Sequence, residues 1–285
     1  LSSETAQKLD DSALLGKTKT RPCPPQCQAA ISEALTNFSV VDVPKIVTNH
    51  GGFLVYSGGD DVMALLPAKE SIKCTLELKK AYEQDYSEGA LRMGSKATAS
   101  AGHAIVHYKE ALSFALEIAR DAEKAAKNAG RNRLAISVVT GSGEEKTVVP
   151  WKTASTLQSY LDAFSDTGDG NAPVSNRWVY KLAQEAARLK AEKGSHKEDD
   201  ANVAASLIKY YVGRMEKDHR GSLGETFSEA NDKKVGDKVV GHFEEFCNPP
   251  DKKGSKSAEE DTYKLLFDFA VAVKTASFLS RAREK

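Results

Sequence analysis

Four cysteines in 285 residues are too few for a disulfide framework, and the expected compartment is the reducing cytoplasm. No apolar run approaches the roughly 20 residues that a membrane span needs. The opening Leu1-Ser-Ser-Glu-Thr5 has no signal-peptide pattern. An excess of charge is missing as well: Lys+Arg and Asp+Glu are both 40, with 18 of each in residues 1–150 and 22 of each in 151–285. This balance excludes a polybasic tail and a unit held on nucleic acid by net charge alone. Internal repeats and long low-complexity segments are absent from the sequence. What is present is a globular composition, 40% hydrophobic and 28% charged, in a length that suits one large domain or two ordinary ones.

Periodicity divides the chain near residue 150. Residues 25–49 read as helical from Pro24-Pro25 onward, through Ala30, Ala34, Leu35 and Phe38, with a short helix or turn from Pro44 leading to His50-Gly-Gly52. Two compact apolar runs, Phe53–Tyr56 and Val62–Leu66, flank Ser57-Gly-Gly-Asp-Asp61 and predict a β-hairpin. Helix is expected over 69–86 and 111–129, and strand over 98–108 and 134–139. Gly130 serves as the C-cap of the second helix. Strands joined by a hairpin favour a mixed or antiparallel sheet over a doubly wound parallel one. After Pro150-Trp151 the pattern is helical over 151–165, 176–193, 199–217 and 259–283, with no convincing strand. The fold class is therefore α+β: an α/β domain over residues 1–150, then an all-α domain over 151–285.

Most of the chemistry sits in the hairpin turn. Gly58 and Gly59 allow positive φ and close backbone approach to a ligand. Asp60 and Asp61 supply hard oxygen ligands of the kind Mg²⁺ or Mn²⁺ prefers. An ordinary Gly-Gly-Asp turn has the same composition, so the motif by itself leaves both readings open. Lys127, in the last turn of the 111–129 helix, suits a triphosphate contact or a surface lysine offsetting the helix dipole. Ser100-Ala-Gly102 suits either a close ligand or a crowded sheet.

Taken in order, these pieces resemble the nucleotide-cyclase palm family. Leu54-Val-Tyr-Ser-Gly-Gly-Asp-Asp-Val-Met-Ala-Leu-Leu-Pro67 is similar to the second palm domain of the large subunit of type III CRISPR effector complexes. Ala99-Ser-Ala-Gly-His-Ala-Ile-Val-His-Tyr-Lys109, with Trp151 opening a helical region, resembles the Cmr-type branch. The resemblance covers residues 25–150 and implies a ferredoxin-like palm that makes cyclic oligoadenylates from ATP when the complex binds target RNA. It implies Mg²⁺ or Mn²⁺ on Asp60 and Asp61, nucleotide against Ser57, Gly58, Gly59, Ser100 and Gly102, and the triphosphate on Lys127. The implied partners are crRNA, target RNA, the small helical subunit and the RAMP subunit at the crRNA tag end.

Two departures stand out. The family's palm begins with a strand carrying another metal-ligating Asp, and no such strand precedes residue 25; Asp10 and Asp11 fall in a helical pattern and are poor substitutes. The chain is therefore expected to start one element late, and the polypeptide as it stands to be inactive. No His-Asp dipeptide occurs, so the family's HD nuclease signature is absent from these residues. A diguanylate-cyclase-like enzyme is the alternative, sharing the Gly-Gly-Asp turn and the Lys127 to Arg133 segment. Against it, Asp61 stands where that family carries Glu, and the upstream Arg-x-x-Asp pattern is missing. A non-catalytic palm scaffold for other subunits and RNA is the third reading.

Other residues are set aside. Cys23-Pro-Pro-Gln-Cys27 has too few partners for a structural zinc site. His103 and His107 share a face of one strand and are expected as hydrogen-bonded sheet histidines. Trp151 and Trp178 are expected as core anchors.

Overall fold

The computed structural model describes residues 25–84, 93–94, 97–141, 143–165, 174–191, 197–227, 234–248 and 262–281. Asp10, Asp11 and Cys23 lie outside the described residues.

Pro25 starts α1 (Pro25–Asn37), where its missing N–H costs nothing. A π-helical turn (Phe38–Asp42) carries the chain into α2 (Val43–Asn49). The hairpin follows as β1 (Phe53–Gly58) and β2 (Asp61–Leu65), then a 3₁₀ turn (Ala68–Glu70) and α3 (Ser71–Glu83). Next come β3 (Ala101–Ile105), α4 (Leu112–Asn128), β4 (Arg133–Thr140) and β5 (Gly143–Pro150). From there the described residues are helical: α5 (Trp151–Phe164), α6 (Arg177–Ala191), α7 (Lys197–Gly213), α8 (Lys217–Thr226), α9 (Val235–Cys247) and α10 (Thr262–Leu279). The fold is α+β with a helical C-terminal region.

Three elements go beyond the sequence expectation. β5 was not expected: its first half, Gly143-Glu-Glu-Lys146, is exposed and charged, and only Thr147-Val-Val149 carries strand character. α8 and α9 were not expected either; the helical run ends at Gly213, and α8 restarts at Lys217.

The strands form two sheets. β1 and β2 pair antiparallel by themselves, with a bulge between Leu54 and Tyr56. β3 runs parallel to β4, connected through α4, and β4 pairs antiparallel with β5, so this sheet is mixed. The inner face of the hairpin packs Leu54, Val62, Ala64 and Leu66 on a cluster of Phe38, Val43, Ile46, Val47 and Cys74. Its outer face leaves Phe53, Val55 and Leu65 exposed at 68%, 49% and 49%.

β4 separates two further cores by simple alternation. Ala135 meets Ala122 and Ala126 of α4. Leu134, Ile136 and Val138 join Val149, Trp151 and the helices in the main cluster, which runs on to Leu279. Trp151 and Trp178 are both buried there, as core anchors. Element type changes at Pro150-Trp151, while the apolar packing continues through it. No helix among the described residues is long and apolar enough to cross a membrane.

Candidate functional site

The turn that carries the acid pair is set by Gly59, whose φ of +65° lets a two-residue loop join Gly58 to its partner Asp61. The space beside Gly59 where a Cβ would stand is empty. Asp60 and Asp61 are both exposed at the tip. Gly58 serves its neighbour: a Cβ there would fall 2.3 Å from the Tyr56 hydroxyl. Ser57 donates its hydroxyl hydrogen bond to the Ser39 carbonyl at 2.9 Å, which ties β1 to the π-helical turn.

Lys127 lies within electrostatic reach of this turn from α4. Its Nζ is 2.6 Å from Glu123 Oε1, one helical turn earlier. That hydrogen bond raises the lysine pKa against a smaller opposing effect of burial, and the charges of Glu123, Asp61 and Asp60 add to the rise. Tyr82 on α3 is a neighbour that sequence reasoning missed: its pKa is raised by burial first and by Asp60 second. The ring stacks edge-on against Phe38 at 5.0 Å. Helical spacing marks Tyr82 only as an apolar-face residue; nothing in the sequence places it beside the acid pair.

Ser100 and Gly102 occupy positions with evident packing uses. Ser100 Oγ accepts the backbone N–H of Asn132 at 3.1 Å. That bond holds the loop in which Gly130, Arg131 and Asn132 all take positive φ, at 109°, 58° and 51°. A Cβ on Gly102 would lie 2.2 Å from Glu123 N and 2.6 Å from Ala119 O, so the glycine lets β3 press against the α4 backbone.

His103 and His107 part company. His103 Nε2 is 2.7 Å from Thr75 Oγ1, and that hydroxyl already donates to the Ser71 carbonyl at 2.8 Å. The ring therefore donates from Nε2, leaving Nδ1 as a buried acceptor without a hydrogen-bond partner. Burial lowers its pKa to about 4. His107 lies beyond the end of β3 and rests on Tyr108 at 4.6 Å between ring centroids. Cys27 and Cys74 are free thiols.

The donor set at the turn fits a divalent cation in kind: two adjacent, solvent-reaching carboxylates, with no soft sulfur or imidazole ligand. Among the described residues no group of three or more His, Cys, Asp or Glu is placed to hold a metal ion. Two carboxylates are enough for Mg²⁺, which commonly takes its remaining ligands from water and substrate phosphates.

Fold and site define an α+β protein that presents a Gly-Gly-Asp-Asp hairpin and continues into a helical region. Residues 11–135 match the family model described as Cas10/Cmr2, second palm domain. The matched segment is less than half of the chain, and over it the chain is similar to the large subunit of Cmr-type, type III CRISPR systems. One relative is the CRISPR system Cmr subunit Cmr2 of Pyrococcus furiosus, 42% identical over 121 residues, or 42% of this chain and 14% of the relative. A second is the CRISPR system CMR subunit Cmr2 of Saccharolobus solfataricus, 34% identical over 58 residues, or 20% of this chain and 6% of that protein.

Proposed function

We propose that the chain supplies the nucleotidyl-transferring palm of a type III CRISPR large subunit, which makes cyclic oligoadenylates from ATP in a complex triggered by target RNA. The observation that carries this reading is the exposed pair Asp60 and Asp61 on a glycine turn, with the Lys127 cation within their field. In the reaction, the 3′-hydroxyl oxygen of one ATP bonds to the α-phosphorus of the next. The bond to pyrophosphate breaks, and the hydroxyl proton leaves to solvent at the open turn. Asp60 and Asp61 would hold Mg²⁺ or Mn²⁺, which when bound supplies Lewis-acid charge at the reacting phosphate. Gly59, with no side chain, leaves room for substrate at the tip. Lys127 offsets charge on the triphosphate, and Glu123 orients its ammonium. The domain division at residue 150 belongs to the same proposal: residues 1–150 carry the chemistry, and 151–285 form a helical domain.

The test uses the complete Cmr-type complex with ATP, Mn²⁺ and target RNA. The expected result is cyclic adenylate product, abolished by Asp60→Ala with Asp61→Ala while assembly survives. Undiminished product from the double variant sinks the metal assignment. Cyclic dinucleotide from GTP alone sinks the adenylate reading, and no product from an intact wild-type complex leaves a scaffold.

A further inference from the structure

The open end of the Gly-Gly-Asp-Asp hairpin is closed by a cluster that the acid pair does not use. His50 follows α2 and precedes β1, whereas Glu70 ends the 3₁₀ turn that follows β2. The two meet across the hairpin base, with His50 Nδ1 2.7 Å from Glu70 Oε2. On the other side of the ring, Nε2 lies 2.9 Å from Glu77 Oε2 of α3. The His50 side chain is only 8% exposed. The backbone beneath is crowded, since a Cβ on Gly52 would come within 2.5 Å of Leu66 and 2.9 Å of Val47.

The hydrogen-bond inventory fixes the charge of this ring. An ionised carboxylate only accepts, and a neutral imidazole has a single N–H. Two carboxylate partners on two ring nitrogens call for two donors, which is the imidazolium. Burial pulls the His50 pKa down, but the hydrogen bonds and charges of Glu70 and Glu77 outweigh it and raise the pKa above 6.5. Cys74 is the fourth ionisable group of the cluster; burial, with the charges of Glu77 and Glu70, pushes its thiol up to about 12, so it stays neutral. Lys45 on α2, Lys69 in the 3₁₀ turn and Lys73 on α3 have no part in the His50 shift.

A two-stranded sheet standing by itself is marginal in water, so what ties its base decides how rigidly its tip is held. We propose that His50 is a positioning residue for the Gly-Gly-Asp-Asp turn: a cationic pin that joins the two ends of the hairpin through Glu70, fastens them to α3 through Glu77, and releases on losing its proton. The pin stands on its own geometry; its bearing on Asp60 and Asp61 rests on the proposed function. Because the folded-state pKa is raised, the stabilisation is complete below pH 6.5 and is lost as pH rises through the folded-state value.

The experiment is histidine-ring NMR on the full chain from pH 5.5 to 9, beside amide hydrogen exchange of the β1–β2 hairpin corrected for intrinsic rates. Protons on both His50 nitrogens at pH 6.5 are expected, with hairpin protection falling about tenfold as the ring deprotonates and its charge-assisted hydrogen bonds are lost. His50→Gln should show low protection with no pH step, and His50→Arg should keep protection to pH 9. Amides of α5 and α10 report whether a variant has folded. A His50 midpoint at or below 6.5, or hairpin protection unchanged through its titration, overturns the pin. Mn²⁺ broadening of signals around Asp60 is read separately: its absence counts against the proposed function, and the pin is still decided by the exchange data.

Discussion

Gly102 shows how closely a single residue can decide the packing of β3 on α4. The nearest atoms to its missing Cβ are backbone atoms of α4, Glu123 N at 2.2 Å and Ala119 O at 2.6 Å. Backbone cannot swing aside as a flexible side chain can, so Gly102→Ala must push α4 off β3. Overpacking of this kind typically costs about 1–3 kcal/mol. A loss of unfolding free energy of that size, read as a lowered urea midpoint, is expected, with Lys127 displaced because it rides on the same helix. An unchanged midpoint would falsify the close approach. The sequence makes Gly102 visible as a small residue, and both of its readings, ligand space and crowding, follow equally from glycine; only the position of Glu123 shows that the helix backbone fills the space. The His50 pin is invisible for a similar reason. Its partners stand 20 and 27 residues away, and no periodicity links them.

At the scale of elements, the sequence was most readable where one pattern dominated. The β1–β2 hairpin declares itself by two apolar runs around Gly-Gly. α4 declares itself by alanines and leucines on one face; Ala122 and Ala126 are buried, joined by Ile118, while Leu112 at the start of the helix stays exposed. β5 stayed hidden because an edge strand with charges on its exposed half reads as a loop. α9 stayed hidden although it buries Val235, Val239, Val240, Phe243 and Phe246. Its spacing is as regular as that of α4, and the signal was there to be found. One side chain adds a hydrogen bond across the junction of the two halves: the Trp151 indole N–H, on the first residue of α5, donates to the Ala99 carbonyl at 3.0 Å, just ahead of β3. Trp151→Phe keeps an aromatic ring and deletes that donor. About 1–3 kcal/mol of stability should be lost for the unsatisfied carbonyl, together with faster amide exchange at the start of β3. Denaturant titration and exchange mass spectrometry measure the two effects.

For the molecule as a whole, three histidines divide the pH range between them. Burial lowers His103 to about 4. Burial also lowers His242 to about 4, where its Nδ1 meets the Tyr160 hydroxyl at 3.2 Å. A buried base with a depressed pKa binds fewer protons folded than unfolded, so stability falls as pH drops from 6.5 toward 4. Each histidine contributes at most roughly 1.4 kcal/mol per pH unit in that window. His50 acts in the opposite sense and above 6.5, so the two effects do not overlap. Urea midpoints at pH 7, 5.5 and 4.5 are expected to fall on acidification, and His103→Gln with His242→Gln should flatten that slope; an equally steep slope in the double variant removes the assignment.

The main cluster also has an order in time. Its members run from Ile72 to Leu279, and α10 buries Leu266, Phe269, Ala270, Ala272, Val273, Ala276 and Leu279 into it. Lys274 of the same helix reaches back to Glu145 of β5 at 2.6 Å. During synthesis from the N-terminus the sheet and the earlier helices emerge while this side of their core is still bare. Residues Thr262–Leu279 close it last among the described elements, so a ribosome pausing ahead of them holds out the earlier elements with this side of their shared core uncovered. Dependence on chaperones then lasts until α10 has left the ribosome and docked, however early the sheet was complete.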